Sequence, residues 1–308
     1  MLKNFHFVNN KKVTLIILAV VLVVGIASFI ISGFNIDIDF SGGNEMQINL
    51  GTEVTPEVCK NINSIIENNE KLGHDYVSST TQSTADPEVA IIRTGTAPLT
   101  TEQQTALRDA IIKAYPDADP KSEQFTNIAA SIGASTTQKA VLAVVVAVAL
   151  MLIYIWIRFD LNSGLAAVIC LAHDLFVVLI AYSIFSIPVN SNIIAVFLTI
   201  LGYSINATIV LFDRVRENKR KHSGEMSFGD IINASTHETL RRSIFTTLTT
   251  LVTIGMIFIM GVDSIRNFAF PLCVGIVAGL FSSVFMSGML WDTLNKVIKP
   301  RAKKSKKA

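Results

Sequence analysis

Charge is what this sequence has little of. Asp, Glu, Lys and Arg make up 16% of its 308 residues, against about 25% in a soluble domain. A deficit of that size means much of the surface meets something other than water. The net charge of +2 supplies no basic face for nucleic acid, so no nucleic-acid partner is expected. Cysteine is also scarce: Cys59, Cys170 and Cys273 are the only three, and the last two lie in apolar runs. The polar part of the chain therefore has one thiol and cannot close an internal disulfide. There is no CxxC, no Cys/His pair at ligand spacing, and the five histidines are scattered, so neither a metal nor another cofactor is expected. No nucleophile–base pair and no glycine-rich phosphate loop stands out, which makes an enzyme the least favoured class. Low-complexity segments and short-period repeats are missing too.

What the sequence has is long apolar runs. Half of its residues are hydrophobic. Six segments, 13–32, 138–157, 164–186, 190–212, 243–260 and 268–290, have the roughly 20 residues that cross a hydrocarbon core of about 30 Å. The first follows Lys11 and Lys12, but it is longer than a signal-peptide core of about 7–15 residues and no A-x-A-like site follows it. It is expected to be a retained helix. Lysine and arginine set the orientation. With the N-terminus inside, the inner segments hold Lys3, Lys11, Lys12, Arg158, seven cations in 213–242 and seven from Lys296 onward, while the two short outer loops hold only Arg266. The expected division is an N-terminus and first helix (1–32), an outer domain (33–137), a five-helix bundle (138–290) with an inner loop at 213–242, and a basic inner tail (291–308).

The outer segment alternates by type. Glu45–Leu50 reads as a strand. Thr55, Pro56 and Glu57 open a helix to about Asn69, with an N-cap threonine, proline in the first turn and an early acid. Asp75–Gln82 and Val89–Thr94 are strands, with Asp86-Pro87 in the turn between them. Thr100 caps a second helix through Tyr115, Pro116 stops it, and Ser122–Ala129 is extended. The order β-α-β-β-α-β is the ferredoxin-like pattern, which hosts many functions. The expected fold is a membrane α-helical bundle of six transmembrane helices in a 1+5 arrangement with one outer ferredoxin-like α+β domain.

Polar residues inside a span are costly and so point to function. His173 and Asp174 lie about 15 Å into the third span. Asp174 there either ties two helices together by hydrogen bonds or carries a proton. Thr199, Tyr203, Asn206 and Asp213 share one face of the fourth span; Asp213 and Arg214 stand at its inner end as an interfacial pair. Arg242, Thr246, Thr249 and Thr253 form a second stripe on the fifth span. Arg242 can snorkel to the surface, but the threonines favour packing of this stripe on the fourth span. Gly275 and Gly279 in the sixth span allow close helix approach. Where the first span ends, alternation in Asn35–Gly43 would place Asp37 and Asp39 on one side and Ile36, Ile38 and Phe40 on the other, while Gly42 and Gly43 permit a tight path. No histidine or third acid is near in sequence, so catalysis is not expected at this acid pair.

These features resemble the SecF family, the smaller of the paired SecD/SecF subunits of bacterial protein export. The resemblance rests on Phe34–Gly43 (FNIDIDFSGG), Trp156–Phe159 (WIRF), Ala172–Asp174 (AHD), Gly202–Asn218 (GYSINATIVLFDRVREN), Thr239–Thr250 (TLRRSIFTTLTT) and Ser264–Phe268 (SIRNF) with the GIVAG…SS helix after it. It covers nearly the whole chain and is weakest in the outer domain, whose single small size suits SecF better than SecD. The 1+5 plan is that of one half of an RND-type transporter. The resemblance implies an accessory export subunit in the bacterial cell membrane with both termini cytoplasmic. Its partners would be a SecD-like subunit, a SecYEG-type channel, the exported preprotein and the lipid bilayer, and the proton-motive force would drive it. It also implies that the position after Asn206 usually holds an acid; here it is Ala207, while the family's arginine is present as Arg242. The main acid is then expected from the partner, with Arg242 facing it and Asp174 supporting. Two other functions share the architecture: half of an RND-type exporter of small molecules or lipids, and a passive scaffold at the translocon.

Overall fold

The computed structural model describes residues 7–8, 11–69, 78–83, 86–95, 99–222 and 225–298. Six helical segments among them are long and apolar enough to cross a membrane. Helix α1 (Lys11–Ile31) leads through the short α2 (Ile38–Ser41) into a small domain, and α5 (Ala130–Arg158) leads back from it. Then come α6 (Leu161–Ile184), α7 (Asn192–Lys221), α8 (Phe228–Met260), α9 (Asp263–Phe281), a π-helical turn at Ser282–Met286 and α10 (Ser287–Ile298), the last three forming one continuous span.

The small domain is built on β1 (Gly43–Asn49), α3 (Pro56–Glu67), β2 (Ser78–Gln82), β3 (Val89–Thr94), α4 (Thr101–Ala114) and β4 (Asp119–Ile128). Its sheet has the order β2-β3-β1-β4 with every neighbouring pair antiparallel. That order is what a β-α-β-β-α-β chain produces when each helix crosses over one strand. The helix starts are those expected. Thr55 accepts from the Val58 N–H with Pro56 in the first turn, and Thr100 forms a capping box with Gln103. Alternation on β1 and β3 turns Met46, Ile48, Ala90 and Ile92 to one face, where Ile62, Ile66, Leu107 and Ile111 close the core. The structure begins β1 two residues earlier than expected and β4 three residues earlier. Residues 75–77 of the expected second strand, Lys3 and the basic end of the chain lie outside the described residues.

One expectation about organisation is corrected. The inner connection, expected at 213–242, is mostly helix: α7 runs on to Lys221, and α8 starts at Phe228 with the Ser227 hydroxyl accepting from the Asp230 N–H. Charge hid the continuation from a hydropathy reading. Glu217 pairs with Lys221 and with Arg214 along α7, Arg214 also pairs with Glu238 of α8, and Asn218 donates to both Ser235 and Glu238. Ile231, Ile232 and Thr236 are buried at this end. Val8 also docks there, its N–H donating to Asn233 Oδ1 at 2.9 Å.

In the bundle, α9 packs on α7 through its glycines. A Cβ at Gly275 would lie 2.2 Å from Ile200 Cδ1, and one at Gly279 would lie 3.2 Å from Ser204 Cβ. The close approach expected of these two residues is what the structure shows.

Candidate functional site

Asp174 sits near the middle of α6, about 20 Å from its start at 1.5 Å per residue, and is wholly buried. Its Oδ2 accepts from the Ser204 hydroxyl of α7 and from the Ser282 hydroxyl at 2.8 Å. Its Oδ1 lies 3.0 Å from His173 Nδ1. Three spans thus converge on one carboxylate. The sequence placed His173 and Asp174 mid-span but missed both serines. Ser204 lies within the GYSIN stretch and can reach Asp174 because Gly279 has no side chain to hold the helices apart. Ser282 opens the π-helical turn, a distortion that often accompanies functional sites. Beside the cluster, Cys170 is fully buried with its Sγ 3.8 Å from the Ser282 carbonyl. His173 Nε2 is buried and has no hydrogen-bond partner among the described residues. One fully buried carboxylate is thus held by two hydroxyls and an imidazole from its own span and two others.

The polar stripes behave differently from expectation. The Arg242, Thr246, Thr249 and Thr253 stripe does not pack on the fourth span. All four are exposed on α8, and each threonine returns its hydroxyl to a carbonyl of its own helix. One position on from the stripe, Ser243 and Thr247 are buried, and Thr247 is the one that meets α7. A threonine can satisfy itself locally, so a stripe of them need not mark a helix contact. On α7, Tyr203 donates to Thr247 Oγ1 at 3.1 Å, while Thr199 and Asn206 are exposed and Ala207 is half-buried. Asp213 does not pair with Arg214; it takes Arg158 of α5 at 3.0 Å, both side chains well exposed.

The acid pair at the end of α1 is a joint. The expected alternation is overturned: Asp37 is the N-cap of α2, its Oδ1 accepting from the Ile38 N–H at 2.7 Å. Its Oδ2 pairs with Arg93 of β3 at 2.8 Å, and Arg93 also holds Glu45 of β1. Asp39 accepts from the Ser191 N–H in the α6–α7 loop at 2.9 Å. A short helix turn, not a strand, separates the two carboxylates. The backbone adds a parallel bridge between Ile36 and Val189, with hydrogen bonds from Asp37 N to Val189 O and from Val189 N to Asn35 O. Gly42 and Gly43 both have φ in the left-handed range, at 77° and 152°, and a Cβ at Gly43 would meet the Gly95 carbonyl at 2.2 Å. Burial raises the Asp37 carboxyl above its ordinary value, against the opposing pull of Arg93. The motif therefore ties α1, the α6–α7 loop and the sheet to one another.

Known proteins match this chain along nearly its whole length. A family profile described as "Protein export membrane protein SecD/SecF, C-terminal" matches residues 109–297. The protein translocase subunit SecF of Acidaminococcus fermentans is 35% identical over 97% of this chain and 100% of its own length. That of Petrotoga mobilis is 31% identical over 99% of each. The crystal structure of SecDF, a translocon-associated membrane protein from Thermus thermophilus, superposes with a TM-score of 0.78 at 26% identity over 95% of this chain. This chain spans only 39% of that longer one. With its six spans and its ferredoxin-like sheet, the chain is a multi-pass membrane protein that belongs to the SecF family of protein translocase subunits.

Proposed function

We propose that the chain works as the SecF-like half of a two-subunit export motor, using the proton-motive force with a SecD-like partner to draw preproteins through a SecYEG-type channel. The observation that carries this is the Asp174 cluster. One buried carboxylate links α6, α7 and the π-helical turn, so a change in its protonation alters contacts among three spans at once. The joint at Asp37, Arg93 and Asp39 then offers a path from the bundle to the outer domain. The division into a first helix, an outer domain at 33–137, a bundle and an inner tail belongs to this proposal, with both termini in the cytoplasm of a bacterial cell. The positive-inside rule supports that orientation.

Partner dependence has its own support. Thr199 and Asn206 on α7, with Arg242, Thr246, Thr249 and Thr253 on α8, leave two neighbouring helices with exposed polar faces. Gly202 on the same face of α7 has open space around it. Lipid is a poor cover for such faces and a second helical bundle is a good one. That the solved SecDF carries a chain like this one within a longer polypeptide agrees. Ala207 brings no carboxylate to this face, so the partner supplies the main acid, Arg242 faces it and Asp174 supports.

The test is force-dependent preprotein translocation in membrane vesicles. Asp174→Asn should impair it partly, and neutralising the partner's mid-membrane acid should abolish it. Ala207→Asp should be tolerated, since the site borders a polar face. Loss of translocation with Asp174→Asn alone, the partner's acid being dispensable, would route the proton through this chain. A second function, the passive scaffold, is favoured by Ala207 itself and is what the assay would show if neither acid mattered.

A further inference from the structure

At the end of the bundle away from the sheet, α5, the turn after it, α7 and α10 line an open cavity of about 680 Å³ that the proposed export mechanism does not use. Its wall holds four cations, Arg158, Arg216, Lys219 and Arg220, and one acid, Asp160. Asp213 offsets Arg158 from outside the cavity. Arg216, Lys219 and Arg220 form no ion pair with a described residue. Arg216 donates to the Arg158 carbonyl, and Lys219 lies 5.6 Å over the Phe228 ring. Counting both acids, two positive charges are uncompensated. The cavity is also lined by Trp291, which is 4% exposed. Its ring is fixed against Phe212 and Phe228, and its indole N–H has no acceptor among the described residues.

A second, smaller cavity lies near it, between α5 and α6. It is about 230 Å³ and is lined by Leu152, Ile153, Leu161, Gly164 and Leu165. Ile153 is one helical turn from Ile157 of the basic cavity, and Leu161 follows Asp160. An anion site beside an apolar groove, at the depth where a span ends, has the form of one amphiphile. Basic pockets between spans are suited to phospholipid head groups.

We propose that these two cavities bind an anionic phospholipid, with its phosphate among Arg158, Arg216, Lys219 and Arg220, its polar neck beside Trp291 and an acyl chain along the α5–α6 groove. The site depends only on the chain's being a membrane protein and stands apart from the export proposal.

Tryptophan fluorescence tests it on the full chain in detergent. Trp156→Phe leaves Trp291 as the single tryptophan, since the chain has two. Phosphatidylglycerol with brominated chains should quench Trp291 saturably, at a mole fraction about tenfold below that needed for brominated phosphatidylcholine. Arg216→Gln, Lys219→Gln and Arg220→Gln together should abolish that preference. Arg216→Lys with Arg220→Lys keeps the charge and should retain it, which separates lost binding from lost folding. Equal quenching by the two lipids overturns the proposal, and so does a preference that survives the triple substitution. Loss of the preference on adding inorganic phosphate, at an ionic strength matched with chloride, would mark a free-phosphate pocket instead. Loss of quenching on assembly with the partner subunit would mark a protein contact. Either outcome also overturns the lipid assignment.

Discussion

Replacing Asp174 with alanine and with asparagine separates the carboxylate's structural part from its chemical one. Alanine deletes the acceptor for Ser204, Ser282 and His173 in a fully buried site. Each buried polar group left without a partner costs about 1–3 kcal/mol. Not all three are stranded. The Ser282 hydroxyl already has the Gly279 carbonyl at 3.2 Å, and a helical serine such as Ser204 can turn to a carbonyl four residues back. His173 Nδ1 has no such recourse among the described residues. One to two stranded groups plus the small void give an expected loss of about 2–4 kcal/mol for Asp174→Ala. Asparagine keeps one oxygen for His173 and offers its NH₂ to the serine oxygens, which rotate to accept, so Asp174→Asn should cost under about 1 kcal/mol. Denaturant or thermal unfolding of the purified protein in mild detergent measures both. If alanine costs no more than asparagine, or asparagine destabilises as much as alanine, the carboxylate is not the acceptor at the centre of this cluster and the site falls with it. With the fold kept by asparagine, an export defect in Asp174→Asn would be a defect of the carboxylate's chemistry, as the proposed function expects, and not of folding.

Four further outcomes are expected. Cys59 is only 6% exposed and is a poor topology probe, so Glu102→Cys on the exposed side of α4 should be labelled by an impermeant thiol reagent from outside intact cells; protection there with reactivity in inverted vesicles would reverse the orientation. Gly202→Trp fills the open space beside α7 and should reduce co-purification of the SecD-like partner at least about tenfold, while an undiminished complex would place the partner elsewhere. Asp37, held above its ordinary value of 3.8 by burial, binds its proton more tightly folded than unfolded. Stability should therefore fall as pH rises through the window above 3.8, and Asp37→Asn should flatten that slope; a rise over the same window would contradict the burial argument. Gly43→Val, which would press a side chain on the Gly95 carbonyl from φ 152°, should destabilise by about 2–4 kcal/mol in the same unfolding assay.

The sequence by itself determined the elements and their order. Six apolar runs of membrane length, the proline and threonine signals of the small α+β domain, and the period-2 pattern of its strands are local properties, legible because each is written within one segment. His173 and Asp174 were legible for the same reason, since a charge in an apolar run stands out whatever surrounds it. Only the tertiary structure decided which residues answer them. Ser204 and Ser282 are 30 and 108 positions from Asp174, and hydroxyls are too common in membrane helices to mark a partner. The threonine stripe of α8 misled because its period described one face of a helix without saying which neighbour that face meets. Asp37 and Asp39 misled because a single capping bond to the Ile38 N–H turns a strand-like pattern into a helix start. The charged facing ends of α7 and α8 were hidden because hydropathy measures preference for lipid, and those turns are held by ion pairs between helices. Chain-local patterns fix periodicity and length; the choice of partners depends on packing between segments distant in sequence, and no single segment encodes it.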